Sequence, residues 1–238
     1  MLFRSNVALG VRAMAEEVRL PVESANIQTT INVPSDRWVL WAHGPRRGPA
    51  VRFWGILLCS LLAAIALGRV ARSPIHTIEW MLLVIGLTQV PLSAALAVVG
   101  WLFFMGWRGS PAFQKLGNKS YNALQIFLIA LTVAALGVLF TAVGEGLLGN
   151  PEMFIVGNDS TPAALRWFQP SSENLLPCPG LLSISIWWYR FFMLAWALWL
   201  AASLIRWLRT GWQNFSTGGF FHRKPKAAPA PPPLPEKA

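Results

Sequence analysis

Charged residues are scarce. Asp, Glu, Lys and Arg make up 13% of the 238 residues, about half the share of an ordinary soluble domain, while 54% are hydrophobic. A chain so poor in charge lacks the polar coat that a soluble surface needs. Acidic residues are especially few, 10 against 20 Lys and Arg, for a net charge of +10. On a soluble face that excess would suggest phosphate binding. Here the Lys and Arg residues sit at the edges of apolar runs, where the positive-inside rule puts them, so no nucleic-acid partner is expected.

Cysteine is limited to Cys59, inside an apolar run, and Cys178, in a Pro-rich loop. They fall at different depths, so no disulfide is expected, and neither has the company of a zinc site. The first twenty residues lack the apolar core of a signal peptide, and neither end carries a lipidation motif. The chain contains no GxSxG, HExxH, Walker or dinucleotide fingerprint, and no nucleophile–base pair stands out. No catalytic residue, metal or cofactor is therefore expected.

Long apolar runs are what the chain has instead, and they predict an all-α membrane protein, a four-helix polytopic bundle. Its spans are expected at about residues 52–70, 80–107, 121–145 and 184–207 within a membrane region 51–212. Trp54 stands at the mouth of the first span. Trp187, Trp188 and Tyr189 at one end of the fourth, with Trp207 and Trp212 at the other, form the double aromatic belt of a membrane crossing. The second run holds 28 residues without a charge, which as one straight helix would reach about 42 Å, more than the ~30 Å hydrocarbon core. Pro91, after Gln89, sits near its middle. One tilted helix kinked at Pro91 and a re-entrant hairpin both fit, and the kink is the simpler reading.

The flanks differ in character. Residues 1–50 form a polar segment with two candidate strands. Ile27, Thr29, Ile31 and Val33 alternate with polar neighbours, Pro34-Ser35-Asp36 is turn chemistry, and Arg37 to Trp41 could be a second strand. Two strands alone are marginal, so this segment must pack on a partner, the membrane surface or a further domain. Residues 148–183 read as an acidic, Pro-rich loop. Residues 213–238 read as a disordered basic and Pro-rich tail, with a formal PxxP match at Pro232 to Pro235. Four spans put both termini on one side. That side carries eleven near-membrane Lys and Arg against four on the other, so both termini are expected in the cytoplasm of a cell with the protein in its inner (plasma) membrane, the acidic loop outside.

Within the apolar runs a few residues are candidates for function. Glu145 and Arg190, both near the outer ends of their spans, could form an intramembrane ion pair that moves a proton or ion, or could be structural or snorkel separately. Gln89, with Thr88 and Ser93, could coordinate an ion at the break made by Pro91, or could satisfy the carbonyl that proline frees. His76 and Glu79 are three apart but make an incomplete metal site. Ser60, Ala64 and Gly68 repeat every four residues on the first span, and Ala130 and Ala134 do so on the third, which suits close helix packing within the chain or with a partner.

The stretches PSDRWVLWAHGPRRGPAVRFWG, SPIHTIEWMLL and ISIWWYRFFMLAWALWLAASLIRWLRTGW resemble the C-terminal membrane region of a group of large, uncharacterised bacterial inner-membrane proteins. The resemblance covers roughly residues 20–212 and brings no activity and no functional residue with it. It implies either a shortened form of such a protein or one that keeps only the membrane end. It would make the strands before Gly44 the edge of a missing domain, and if that domain is exported it would put the N-terminal segment outside. Together these readings lead to a multi-pass membrane protein acting as a non-enzymatic anchor or assembly component. Its expected partners are the lipid bilayer and a protein or a second copy in the membrane. A transporter or channel subunit with a broken second helix is the alternative.

Overall fold

A computed structural model describes residues 9–45, 47–71, 73–216 and 219. The basic and Pro-rich residues from 220 on, including the PxxP match, lie outside the described residues.

Five substantial helices follow the apolar runs: α1 Phe53–Arg69, α2 Thr77–Leu87, α3 Leu92–Arg108, α5 Asn118–Leu148 and α6 Ile186–Ser216, with a short α4 Pro111–Gln114 between α3 and α5. Seven strands accompany them: β1 Arg12–Met14, β2 Ser24–Asn32, β3 Arg37–His43, β4 Ala50–Val51, β5 Ile155–Val156, β6 Ala164–Ser172 and β7 Gly180–Ser185. The expected all-α four-helix bundle is thus overturned. The fold is mixed, 54% helix and 20% strand, with antiparallel sheets ordered β1-β7-β3, β2-β6 and β4-β5.

Among the described residues two helices, α5 and α6 at 31 residues each, are long and apolar enough to cross a membrane. Each would reach about 46 Å. The shorter apolar helices α1, α2 and α3 have 17, 11 and 17 residues. α6 continues four residues past the expected start of the tail, to Ser216.

The second apolar run is two helices and not one kinked helix. Trp80 of α2 stacks on Phe103 of α3 with ring centroids 5.5 Å apart. On one continuous helix residues so far apart would be separated by roughly 34 Å. α2 and α3 therefore form a hairpin whose two feet share one end of the helical unit. Its turn is Thr88 to Pro91.

That arrangement defines two ends. At the first, the start of α2 meets the end of α1, because Gly68 lies against Thr77. It also meets the end of α6 through an ion pair between Arg206 and Glu79 at 2.9 Å. The end of α3 joins them where Asn214 donates to the Met105 carbonyl at 3.3 Å. Charge counting had put Glu79 and Arg206 on opposite sides of the membrane, and the hairpin is the reason it failed: it adds one more passage of the chain between the two ends.

The second end carries all of the β-structure, a cap built from two segments far apart in the chain. β2 pairs antiparallel with β6, Asn32 facing Ala164 and Ser24 facing Ser172. β7 lies between β1 and β3. The segment expected to need an outside partner thus finds it in the stretch expected to be an acidic loop, on the same side as itself. Ala13, Val33, Val39, Leu165, Trp167 and Leu181 form the buried core of the cap.

The cap is fastened to the helices at several points. Trp38 packs edge-on to Tyr189 at 5.3 Å and its Nε1 approaches the Met153 sulfur at 3.1 Å. Trp54 Nε1 donates to the Leu40 carbonyl at 2.8 Å. β4 and β5 pair beside the start of α1. Below this, a second and larger core runs through the helical unit, centred on Trp80, Leu83, Trp101, Leu102, Leu139, Met193 and Trp196.

Candidate functional site at the helix break

The break at Thr88 to Pro91 follows from the backbone chemistry of proline. Pro91 adopts φ −56°, ψ 144° at the cap of α3, has no N–H, and pushes the preceding residue away from helical geometry. The groups released there find partners nearby. The Gln89 and Val90 amides donate to the Gly86 and Leu87 carbonyls, each at 3.3 Å. Thr88 Oγ1 donates to the Ile85 carbonyl at 2.7 Å.

Gln89 is used twice. Its Nε2 donates to Thr88 Oγ1 at 3.3 Å and its Oε1 accepts the Glu152 amide at 3.0 Å. The side chain therefore ties the hairpin tip to the strand-bearing segment after α5. Ser93 and Pro91 face outward, and Leu83, Leu87 and Val98 beside the turn are buried apolar side chains.

Glu145 and Arg190 lie at the cap end of α5 and α6 but form no ion pair with each other among the described residues. Glu145 is exposed. Arg190 lies over the Trp187 ring at 5.2 Å, and its Nε is buried without a hydrogen-bond partner. His76 and Glu79 are occupied at the opposite end. The His76 amide donates to Glu79 Oε2 at 3.3 Å, capping the start of α2, while Glu79 Oε1 holds Arg206.

The small face of the first helix serves the chain itself. Ala64 is fully buried, and a Cβ on Gly68 would stand 2.4 Å from Thr77 Oγ1. Ala130 and Ala134 instead lie on the exposed face of α5.

One residue of interest was not singled out from the sequence. Arg108, counted there as a loop charge at the membrane edge, is fully buried. Its Nε donates to Gln125 Oε1 at 2.7 Å, and one terminal nitrogen donates to the Tyr121 hydroxyl at 2.5 Å and to the Phe215 carbonyl at 2.9 Å. The guanidinium also lies 4.9 Å from the rings of both Phe113 and Tyr121. The available signal was Tyr121 and Gln125, four apart and so on one face of α5 near that end.

Two clefts open on the cap. The larger is open and runs beside the β2–β6 ribbon between Glu23, Ser171, Glu173 and Cys178. Among the described residues, no group of three or more His, Cys, Asp or Glu gathers at metal-binding distance. Comparison with protein-family models, with curated proteins and with solved structures finds no match for this chain.

Proposed function

We propose that this chain is a multi-pass component of a bacterial inner membrane that acts as a non-enzymatic anchor or assembly element, holding the β-cap on the outer side and the opposite, basic end in the cytoplasm. The observation that supports this best is the filled interior. A conduit needs a polar cavity along its path. Here the helix break is closed by its own hydrogen bonds, Gln89 is spent on the cap, and the surroundings are packed apolar and aromatic side chains.

The outside of the helical unit suits lipid. Leu62, Leu96, Val133, Phe140, Phe191 and Leu198 are all more than half exposed, where a soluble protein would carry charge. Orientation rests on charge. Arg69, Arg108, Lys115, Lys119, Arg206 and Arg209 belong to the basic end, with Glu79 as the one acidic residue among the described residues there. At the cap end, acidic and basic residues are nearly balanced. The positive-inside rule then puts the basic end in the cytoplasm and the N-terminal strands outside. The resemblance to inner-membrane proteins points to the same compartment, and the partners of such an element are the bilayer and a protein within it.

The test is thiol labelling of intact cells with a membrane-impermeant reagent in a Cys59→Ala background. Cys178 should label, and so should a cysteine introduced as Ser24→Cys once Cys178 is also replaced, while Ser216→Cys should stay protected. Labelling at 216 would invert the orientation. The anchor reading itself falls if the purified protein makes liposomes leak an ion and Gln89→Leu abolishes that leak.

A further inference from the structure

One face of the three-stranded sheet is covered by the helices at Trp38 and is left open beyond it by the described residues. Strand register sorts its residues. Ala13, Val39, Leu181 and Ser183 point to one side and are buried in the cap core. Trp38, Ile184, Leu182, Trp41, Met14 and Arg12 share the other. A bulge at Leu40 leaves this sorting intact, because Trp41 pairs with Leu182 and Trp38 with Ile184.

An antiparallel sheet with a solvated outer face should carry polar residues there. Beside the exposed His43, which pairs with Gly180, this one carries Trp41 at 54% exposure and Met14 at 60%, with Leu182 half-buried between Arg12 and Trp41. The direction in which the face looks is set by its inner edge. There Trp38 packs on Tyr189 of α6 and on the helical core. Trp54, in the first turn of α1, donates to the Leu40 carbonyl. The same face therefore looks down onto the helix tops at Trp38 and continues past them at Trp41 and Met14. Trp54, Trp187 and Trp188, all exposed in first helical turns at this end, mark the level of the membrane–water boundary.

We propose that the overhanging face of the β1-β7-β3 sheet rests on the bilayer surface, with Trp41 and Met14 at the boundary of headgroups and acyl chains and Arg12 among the lipid phosphates. The inference rests on the membrane reading above. A tryptophan suits this place because its ring is apolar while its N–H can stay hydrated. Arg12 supplies a fixed positive fork for phosphate oxygens. The sheet then acts as a foot that fixes the tilt of the cap over the membrane.

The experiment uses the full chain in phosphatidylcholine–phosphatidylglycerol vesicles, with Cys59→Ala and Cys178→Ala and one environment-sensitive fluorophore at a time. The probe sites are Trp41→Cys, Met14→Cys, Phe140→Cys on the exposed face of α5 and Glu23→Cys on the ribbon. Probes at 41 and 14 should emit to the blue of the one at 23. They should be quenched more by lipids carrying a nitroxide near the headgroup than by aqueous iodide. The probe at 140 should be quenched by a nitroxide deep in the acyl chain. If 140 lies in lipid while 41 and 14 behave like 23, the foot is overturned and the membrane reading stands. If 140 also reads as water, the membrane reading falls and takes the foot with it. Met14→Cys keeps the test decisive should the Trp41 variant fail to fold.

Discussion

Arg108 is held by an amide oxygen, a phenol and the Phe215 carbonyl near the end of α6. A cation there also opposes the partial negative charge that a helix accumulates at its C-terminus. Truncation would leave the Gln125 oxygen, the Tyr121 hydroxyl and that carbonyl buried without their donor. Arg108→Ala is therefore expected to cost about 3 kcal/mol and to lower the thermal unfolding midpoint in detergent. Arg108→Lys should recover little, because an ammonium cannot serve three acceptors in the plane of a guanidinium; full recovery by lysine would show that charge alone matters. Its own position in the sequence does not set this arginine apart from its exposed neighbours, since a basic residue at the end of an apolar run satisfies the positive-inside rule whether it faces water or a buried phenol; only the Tyr121 and Gln125 pair hints at it.

The packing of α6 on the hairpin rests on a tryptophan meeting a glycine. Trp196 of α6 lies over Gly86 of α2, where an added Cβ would stand 2.0 Å from the ring, and its Nε1 donates to the Leu82 carbonyl at 2.7 Å. Gly86→Ala should force α6 away from the hairpin and destabilise the protein by about 2 kcal/mol. Gly100→Ala and Gly137→Ala face open space and should be neutral or slightly stabilising, since alanine is the better helix former. Melting curves of the three variants side by side check the contrast, and equal losses would remove the packing argument. Hydropathy alone made α1, α5 and α6 legible, because each is a single apolar run with polar ends. It could not separate α2 from α3. A charge-free run of 28 residues has the same composition as one long helix or two short ones. Tertiary contacts such as that between Trp80 and Phe103 distinguish them.

At the scale of the whole molecule, the pairing of β2 with β6 decides the topology. Thr30 and Arg166 face each other in that ribbon, and partners in an antiparallel pair stand at a separation a disulfide can bridge. Thr30→Cys with Arg166→Cys, in a chain lacking Cys59 and Cys178, should cross-link on mild oxidation and shift mobility on a non-reducing gel. Two segments on opposite faces of a membrane, as charge counting had them, could not react. The strand pattern in residues 27–41 was visible in the sequence. Its partners were not, because Leu165 and Trp167 alternate with Arg166 and Phe168 inside a stretch dominated by prolines and acids, and nothing local ties them to residues made much earlier. That distance sets a timetable for assembly. β1, β2 and β3 are synthesised before the described helices, and their partners β6 and β7 only after α5. Until then the early strands must wait with open hydrogen-bonding edges, the state most exposed to proteases and to mispairing with other chains. β7 runs directly into α6, so the last long helix is made immediately behind the strand that completes the three-stranded sheet. Closure of the cap would thus be a late event, in which strands made ahead of the described helices find their places only after α5 is complete.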